Sequence, residues 1–344
     1  MKLVEEMIDR ASDRFIEDGL DLQNYGDFIN KAIETAVEKV SKESVKSYKS
    51  KAAERVAEYE ADDAEFASRN LRHWRPAFDH LEMLWHISRE LGQAHQKDYI
   101  ERKSGQCDVE MTALGMIFAK ALLVAREVIC LMKGGYPDGA LGRWRVLHEL
   151  AVSAAYIREK GEIAAKEYLV SAEFSTRRAA VQFNQYAEKL EAEPYSPDEM
   201  ISLDENCRAA EKFLGRSISD DRSGEWPKIT GKNDMSQLEV VVGMQQWRPW
   251  YKKASAHNHA NYEPPGSLLG AMEDEITLIG PSNYGMVYPF QGTALNLAKI
   301  VASYLSLTPN VDRLAYITSL DVIASEMVEI ALRAEQNSLE ATKS

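Results

Sequence analysis

Two stretches of this 344-residue chain, ALGMIFAKALLVAREVICLM and ALGRWRVLHELAVSAAYI, are apolar around nearly the whole of a helical circumference. A helix with no polar face cannot lie against water, so each must be enclosed by other elements. The spacing predicts one helix from about Val109 to Met132, stopped by Gly134-Gly135, and another from Pro137-Asp138 to about Lys160. Both belong at the centre of a bundle, and any charged side chain on them needs an explanation.

The remaining sequence supplies the helices to enclose them. HWRPAFDHLEMLWHISREL puts Phe78, Leu81, Leu84, Trp85 and Leu91 on one face, with Pro76 in its first turn. An amphipathic helix from about Ile163 to Leu190 carries Arg177-Arg178, and Ser196-Pro197-Asp198-Glu199 is a capping-box start for the next. Helices over about 291–307 and 311–336 complete the bundle, while 215–234, 257–266 and Gly280-Pro281 read as irregular. The segment from Asp27, a candidate N-cap, to Phe66 differs in texture. It is charge-dense, and its stripe of Ile29, Ile33, Ala36, Val40, Ala52, Val56 and Tyr59 is narrow. Such a stripe covers one partner helix, not a core. The expectation is an all-α chain: a multi-helix bundle over 73–340, preceded by an extended N-terminal helical arm over 1–72. The arm either folds back on its own domain or makes a homo-oligomer contact.

Charge and cysteine usage restrict the setting. With 54 acidic and 41 basic residues the net charge is -13, which opposes binding to RNA or an anionic membrane unless basic residues are segregated. Arg69 to Arg75, Arg177-Arg178 and Trp247 to Lys253 are candidate patches, with Trp74 or Trp247 available to stack a base; each alone also reads as a solvated helix end. Cys107, Cys130 and Cys207 contain no CxxC pair and read as reduced thiols rather than a disulfide framework or zinc site. The N-terminus has no apolar core of a signal peptide, and no window approaches eighteen apolar residues, so a cytoplasmic location without membrane contact is expected. Walker A, G-x-G-x-x-G, G-x-S-x-G and H-E-x-x-H patterns are absent, which disfavours nucleotide hydrolysis, dinucleotide chemistry, serine hydrolases and zincins; no cofactor is expected.

Arg143, Arg145, His148 and Glu149 fall within two turns of a central helix, and burying any of them unpaired is expensive. Arg145 and Glu149 stand four apart and can pair, with Glu127 of the preceding helix as a further partner for an arginine. The alternative is that these groups meet a substrate. A neutral imidazole can move a ribose hydroxyl proton while a guanidinium stabilises charge on the cyclising phosphate, without a metal. His257-Asn258-His259, after a segment bearing Lys252, Lys253 and Ser255, offers a second acid/base or phosphate contact. With Glu127 and Glu149, the two histidines would alternatively form a carboxylate–histidine metal set, although the Glu-x-x-His repeat of di-iron bundles is missing.

The block from LLVAREVICLMKGGYPDGALGRWRVLHELAVSAAYI onward, followed by WYKKASAHNHANY, resembles family 5677 of the bacterial domains of unknown function over about residues 110–305. The residues carrying the likeness are Glu127, Gly134-Gly135, Arg145 with Glu149, and Ser255 with His259. This resemblance implies a helical fold and candidate positions, and no activity. Arg143-x4-His148 separately resembles the Arg-His signature of HEPN-type helical nucleases, with Trp144 where a small polar residue is usual. That likeness implies a homodimeric, metal-independent endoribonuclease or toxin-type effector in antiviral defence, paired with a regulatory or antitoxin protein. Arg143, Arg145, His148, Glu149 and His259 would be catalytic; Glu127, Ser255, His257, Lys252 and Lys253 would bind substrate. The rival expectations are a non-catalytic helical module that binds a ligand or protein and, third, a metal-dependent hydrolase.

Overall fold

A computed structural model describes residues 3–19, 21–103, 108–219, 225–259, 262, 264, 266–271 and 277–341, and every regular element among them is helical. Cys107 lies outside them. The chain divides into two compact units, residues 1–66 and 67–344.

The first unit holds α1 (Leu3–Glu17) and most of α2 (Tyr25–His73), joined through a 3-10 turn at Leu22–Asn24. Phe15 is buried, its ring centroid 5.0 Å from that of Tyr25 and 5.1 Å from that of Phe28, and the Tyr25 hydroxyl donates to Ser12 Oγ at 3.1 Å. Because α2 starts at Tyr25, Asp27 is not its cap; it lies in the first turn, where a carboxylate suits the positive end of the helix. Of the apolar stripe, Ala36 is buried while Val56 and Tyr59 are exposed.

The second unit contains the last turns of α2, then α3 (Arg75–Arg102), α4 (Val109–Lys133), α5 (Pro137–Lys160), α6 (Glu162–Tyr186), α7 (Pro197–Leu214), α8 (Trp226–Ile229), α9 (Met235–Val241), α10 (Arg248–Ala256), α11 (Val287–Leu305) and α12 (Val311–Ala341). The all-round apolar pair, α4 and α5, does sit at the centre, together with α11, which packs against α3, α4, α5 and α12. Gly292 permits this closeness: a Cβ there would lie 2.5 Å from the Trp144 indole nitrogen. Two residues near the α2–α3 junction lock the layer. Buried Asn70 donates to the last carbonyls of α4, Met132 at 2.8 Å and Lys133 at 2.9 Å, and fully buried Trp74 donates its indole N–H to the Asn283 carbonyl at 2.8 Å. Trp74 is therefore a core anchor and not a platform for a base.

The capping box of α7 forms as expected, Glu199 N–H donating to Ser196 Oγ and Ser196 N–H to Glu199 Oε2. Two expectations need revision. The stretch 215–234 holds α8, which buries Trp226 between the rings of Tyr156 and Tyr168 and Ile229 in a small core with Val170, Phe174 and Cys207. The helix expected near Gln291 begins at Val287.

His95 of α3 is buried against Tyr304 of α11, ring centroids 4.7 Å apart. Burial, helped by the Arg313 guanidinium, drives its pKa down from the ordinary value to about 4. Below about pH 6.5 the unfolded chain takes up a proton that the folded chain refuses until about pH 4. Stability present above that window is thus lost progressively as pH falls through it. Urea midpoints measured between about pH 7 and 4.5 should decline for the unmodified chain and decline less steeply for His95→Leu.

Candidate functional site

The charged side chains of α5 leave the helix in different directions and meet different neighbours. Arg143 forms an ion pair with Glu127 of α4, both about one-third exposed. Arg145 donates to Glu149 at 3.1 Å, and the same carboxylate oxygen accepts from the Tyr251 hydroxyl of α10 at 2.6 Å. The Arg145 guanidinium also lies over the Tyr251 ring, 4.8 Å from its centroid. His148 turns inward. Its Nε2 is 3.0 Å from Glu239 of α9, both side chains are 0% exposed, and Glu239 also pairs with Arg248 of α10 at 2.6 Å.

This geometry corrects the Arg-His reading. Positions five apart diverge by about 140° around a helix, and here the divergence sends Arg143 to α4 and His148 into the core beneath α9. His148 has no path to a substrate phosphate, so the role of acid/base does not fall to it. Arg143 and His148 do not converge.

What does open to solvent is a cavity of about 420 Å³ bordered by Arg145, Glu149 and Tyr251, with Lys120, Trp226 and Asp234 among its other walls. Burial works against the Arg145 charge, but the contacts with Tyr251 and Glu149 outweigh it and hold the guanidinium pKa above its ordinary value. Burial, and then the hydrogen bond to Glu149, push the Tyr251 phenol up to about 12. Both groups are fixed in one protonation state near neutrality: a permanent cation and a permanent donor. The three acids on the walls are already engaged, Glu149 by Arg145 and Tyr251, Glu225 by Lys228 at 3.1 Å, and Asp234 as the N-cap of α9.

The other expected site residues lie elsewhere. His257 faces Asp138 at the start of α5, Nε2 to Oδ1 3.1 Å. Burial would raise the Asp138 carboxyl, but His257 and the backbone N–H groups of Leu269 and Gly270, at 2.7 and 3.2 Å, hold it below the usual range. His259 is exposed on the turn after α10 and is not among the cavity walls. Ser255 donates back to the Tyr251 carbonyl at 2.8 Å, Lys252 is exposed and Lys253 half-buried. The carboxylate–histidine metal set is not brought together, since Glu127, Glu149 and His257 each face a different partner; among the described residues no cluster of three candidate ligands occurs. Nor does any described helix have the length and apolarity to cross a membrane.

Residues 111–276 match the model of a family of unknown function, DUF5677. The matched span holds α5, α9 and α10 and every group just placed around the cavity. No curated protein and no solved structure matches the chain.

Glu239 is absent from the residues that the sequence singles out, whereas Arg248 and Tyr251 fall within the basic and aromatic stretch Trp247 to Lys253. Glu239 did carry a signal, a lone acid in the run Leu238-Glu239-Val240-Val241-Val242, where a buried charge demands a partner. Removing that carboxylate strands two nitrogenous partners. Glu239→Ala should lower unfolding free energy by about 3–5 kcal/mol, whereas Arg143→Ala, which breaks a solvent-screened pair, should lower it by less than about 1 kcal/mol. Urea denaturation of the two variants tests the contrast.

Proposed function

We propose that the bundle is a non-catalytic ligand-binding module, and that the cavity beside Arg145 takes a small molecule with an anionic head and an apolar or aromatic body. One observation carries the reading: of the two acid/base candidates, His148 is sealed in the core and His259 is not among the cavity walls, while an Arg145–Glu149–Tyr251 cluster borders an open cavity of about 420 Å³. Groups that neither gain nor lose a proton near pH 7 suit recognition better than proton transfer. Glu149 and Tyr251 hold the guanidinium in one orientation, as a carboxylate or phosphate contact requires. Lys120 has no ion-pair partner among the described residues and supplies a second cation, while of the wall carboxylates Glu149 is paired with Arg145, Glu225 with Lys228, and Asp234 is turned to the N-terminus of α9. Val146, Leu150, Trp226 and Met235 provide apolar wall for the rest of the ligand.

Equilibrium dialysis of the full chain against a cellular metabolite extract, read by mass spectrometry, tests this. The expected result is retention of anionic compounds with an apolar portion, reduced about tenfold or more in Arg145→Met. Incubation with total RNA in EDTA is the opposing arm. Cleavage that disappears in Arg145→Ala would restore the nuclease reading and overturn this one, and cleavage restored only by added metal would point to the hydrolase.

A further inference from the structure

Within the first unit α1 is far shorter than α2, 15 residues against 49, and the groove between them runs no further along α2 than Glu43. From Ser41 to Glu65 every residue of α2 but Ser44 is exposed, Tyr48 at 74% and Tyr59 at 63%. A helix standing alone in water draws support from opposite charges four residues apart. This stretch has the reverse. Between Lys42 and Glu65 the charged pairs at that step are Lys42 with Lys46, Lys51 with Arg55, Glu54 with Glu58 and Glu58 with Asp62, all of like sign. Its support has to come from a second element.

Two patterns say what that element is. Val45, Tyr48, Ala52, Val56 and Tyr59 follow steps of three, four, four and three, and at 3.6 residues per turn all of them lie within about 40° of Ala52 around the helix. The steps read the same in both directions. A second copy running the opposite way about Ala52 therefore sets Val45 against the partner's Tyr59 and Tyr48 against the partner's Val56. Charge matches this arrangement. Residues 42–55 carry Lys42, Lys46, Lys49, Lys51 and Arg55 against Glu43 and Glu54, whereas 56–65 carry Glu58, Glu60, Asp62, Asp63 and Glu65 and no basic residue. Antiparallel pairing lays each basic half beside the other copy's acidic half, and parallel pairing would lay like on like.

We infer that residues 42–65 of α2 are a self-docking surface, which pairs antiparallel with the same segment of a second copy of this chain about a two-fold axis at Ala52.

Sedimentation equilibrium of the full chain tests this. The expected result is a dimer, twice 38.7 kDa, that weakens as salt is raised. Val56→Glu puts a charge into the apolar seam at a position exposed in the single chain. It should weaken association about tenfold or more and leave the urea midpoint of the bundle unchanged. At the same concentration, Lys46→Glu/Lys49→Glu/Lys51→Glu and Glu58→Lys/Glu60→Lys/Asp62→Lys should each be monomeric and should associate with one another when mixed. One chain carrying all six changes should dimerise again, since antiparallel pairing still sets opposite charges together, whereas parallel pairing would still set like on like. The inference is overturned by a monomeric native chain, by a dimer that Val56→Glu and both triple reversals leave intact, or by a chain with all six changes that stays monomeric.

Discussion

The carboxylate of Glu239 is the group around which the central layer is arranged. Taking it out of water costs several kcal/mol, and only a close pair of partners can offset that. His148 reaches it from α5 and Arg248 from α10. Two irregularly connected short helices are thereby pinned to α5, one of the two enclosed central helices. The pinning has a second effect one turn along α10. With Arg248 committed to Glu239, Tyr251 comes to lie beside Arg145, and its ring has two guanidiniums near it, Arg248 at 4.6 Å and Arg145 at 4.8 Å from the centroid. Two like charges so close require two carboxylates, and Glu239 and Glu149 are those carboxylates.

The enclosed helices were legible because all-round apolarity has only one solution in water. Their loops and partners were less so. Pattern alone shows that Arg143, Arg145, His148 and Glu149 need compensation; it does not show which neighbour lies on which side of α5. Arg145 with Glu149 was readable from a four-residue step and Glu127 from the preceding helix. Glu239 was not, since it lies far along the chain and reaches His148 only after α9 folds back over α5. Trp226 was hidden differently. Its surroundings are polar in composition, yet the indole is large enough to drag a single helical turn into the gap between Tyr156 and Tyr168. Burial of one ring outweighed the loop-like character of the residues around it.

The same partition separates binding from catalysis. Proton transfer near neutrality needs a group poised to titrate and open to substrate. On α5 the histidine is closed off from solvent, whereas the open groups are an arginine held charged and a tyrosine held neutral. No histidine lines the cavity beside them. Fixed donors with fixed charge are suited to recognising shape and charge rather than to exchanging protons.

Why cavities form on this side of the bundle follows from helix length. Long helices such as α4, α5 and α11 bury their sides by setting ridges into grooves along many turns, which leaves little space between them. The segment from α8 to α10 is built from short pieces separated by turns, and a helix of one or two turns presents too short a ridge to mesh with its neighbour. It is anchored to α5 at points, by Trp226, by Glu239 and by Tyr251, and between those points the layers stand apart. Space therefore remains beside α9, bounded by side chains of the layers that the anchors join. A sealed core and an open cavity are thus products of the same covering segment: tight where a large ring or a buried charge pulls it down, and open where nothing does.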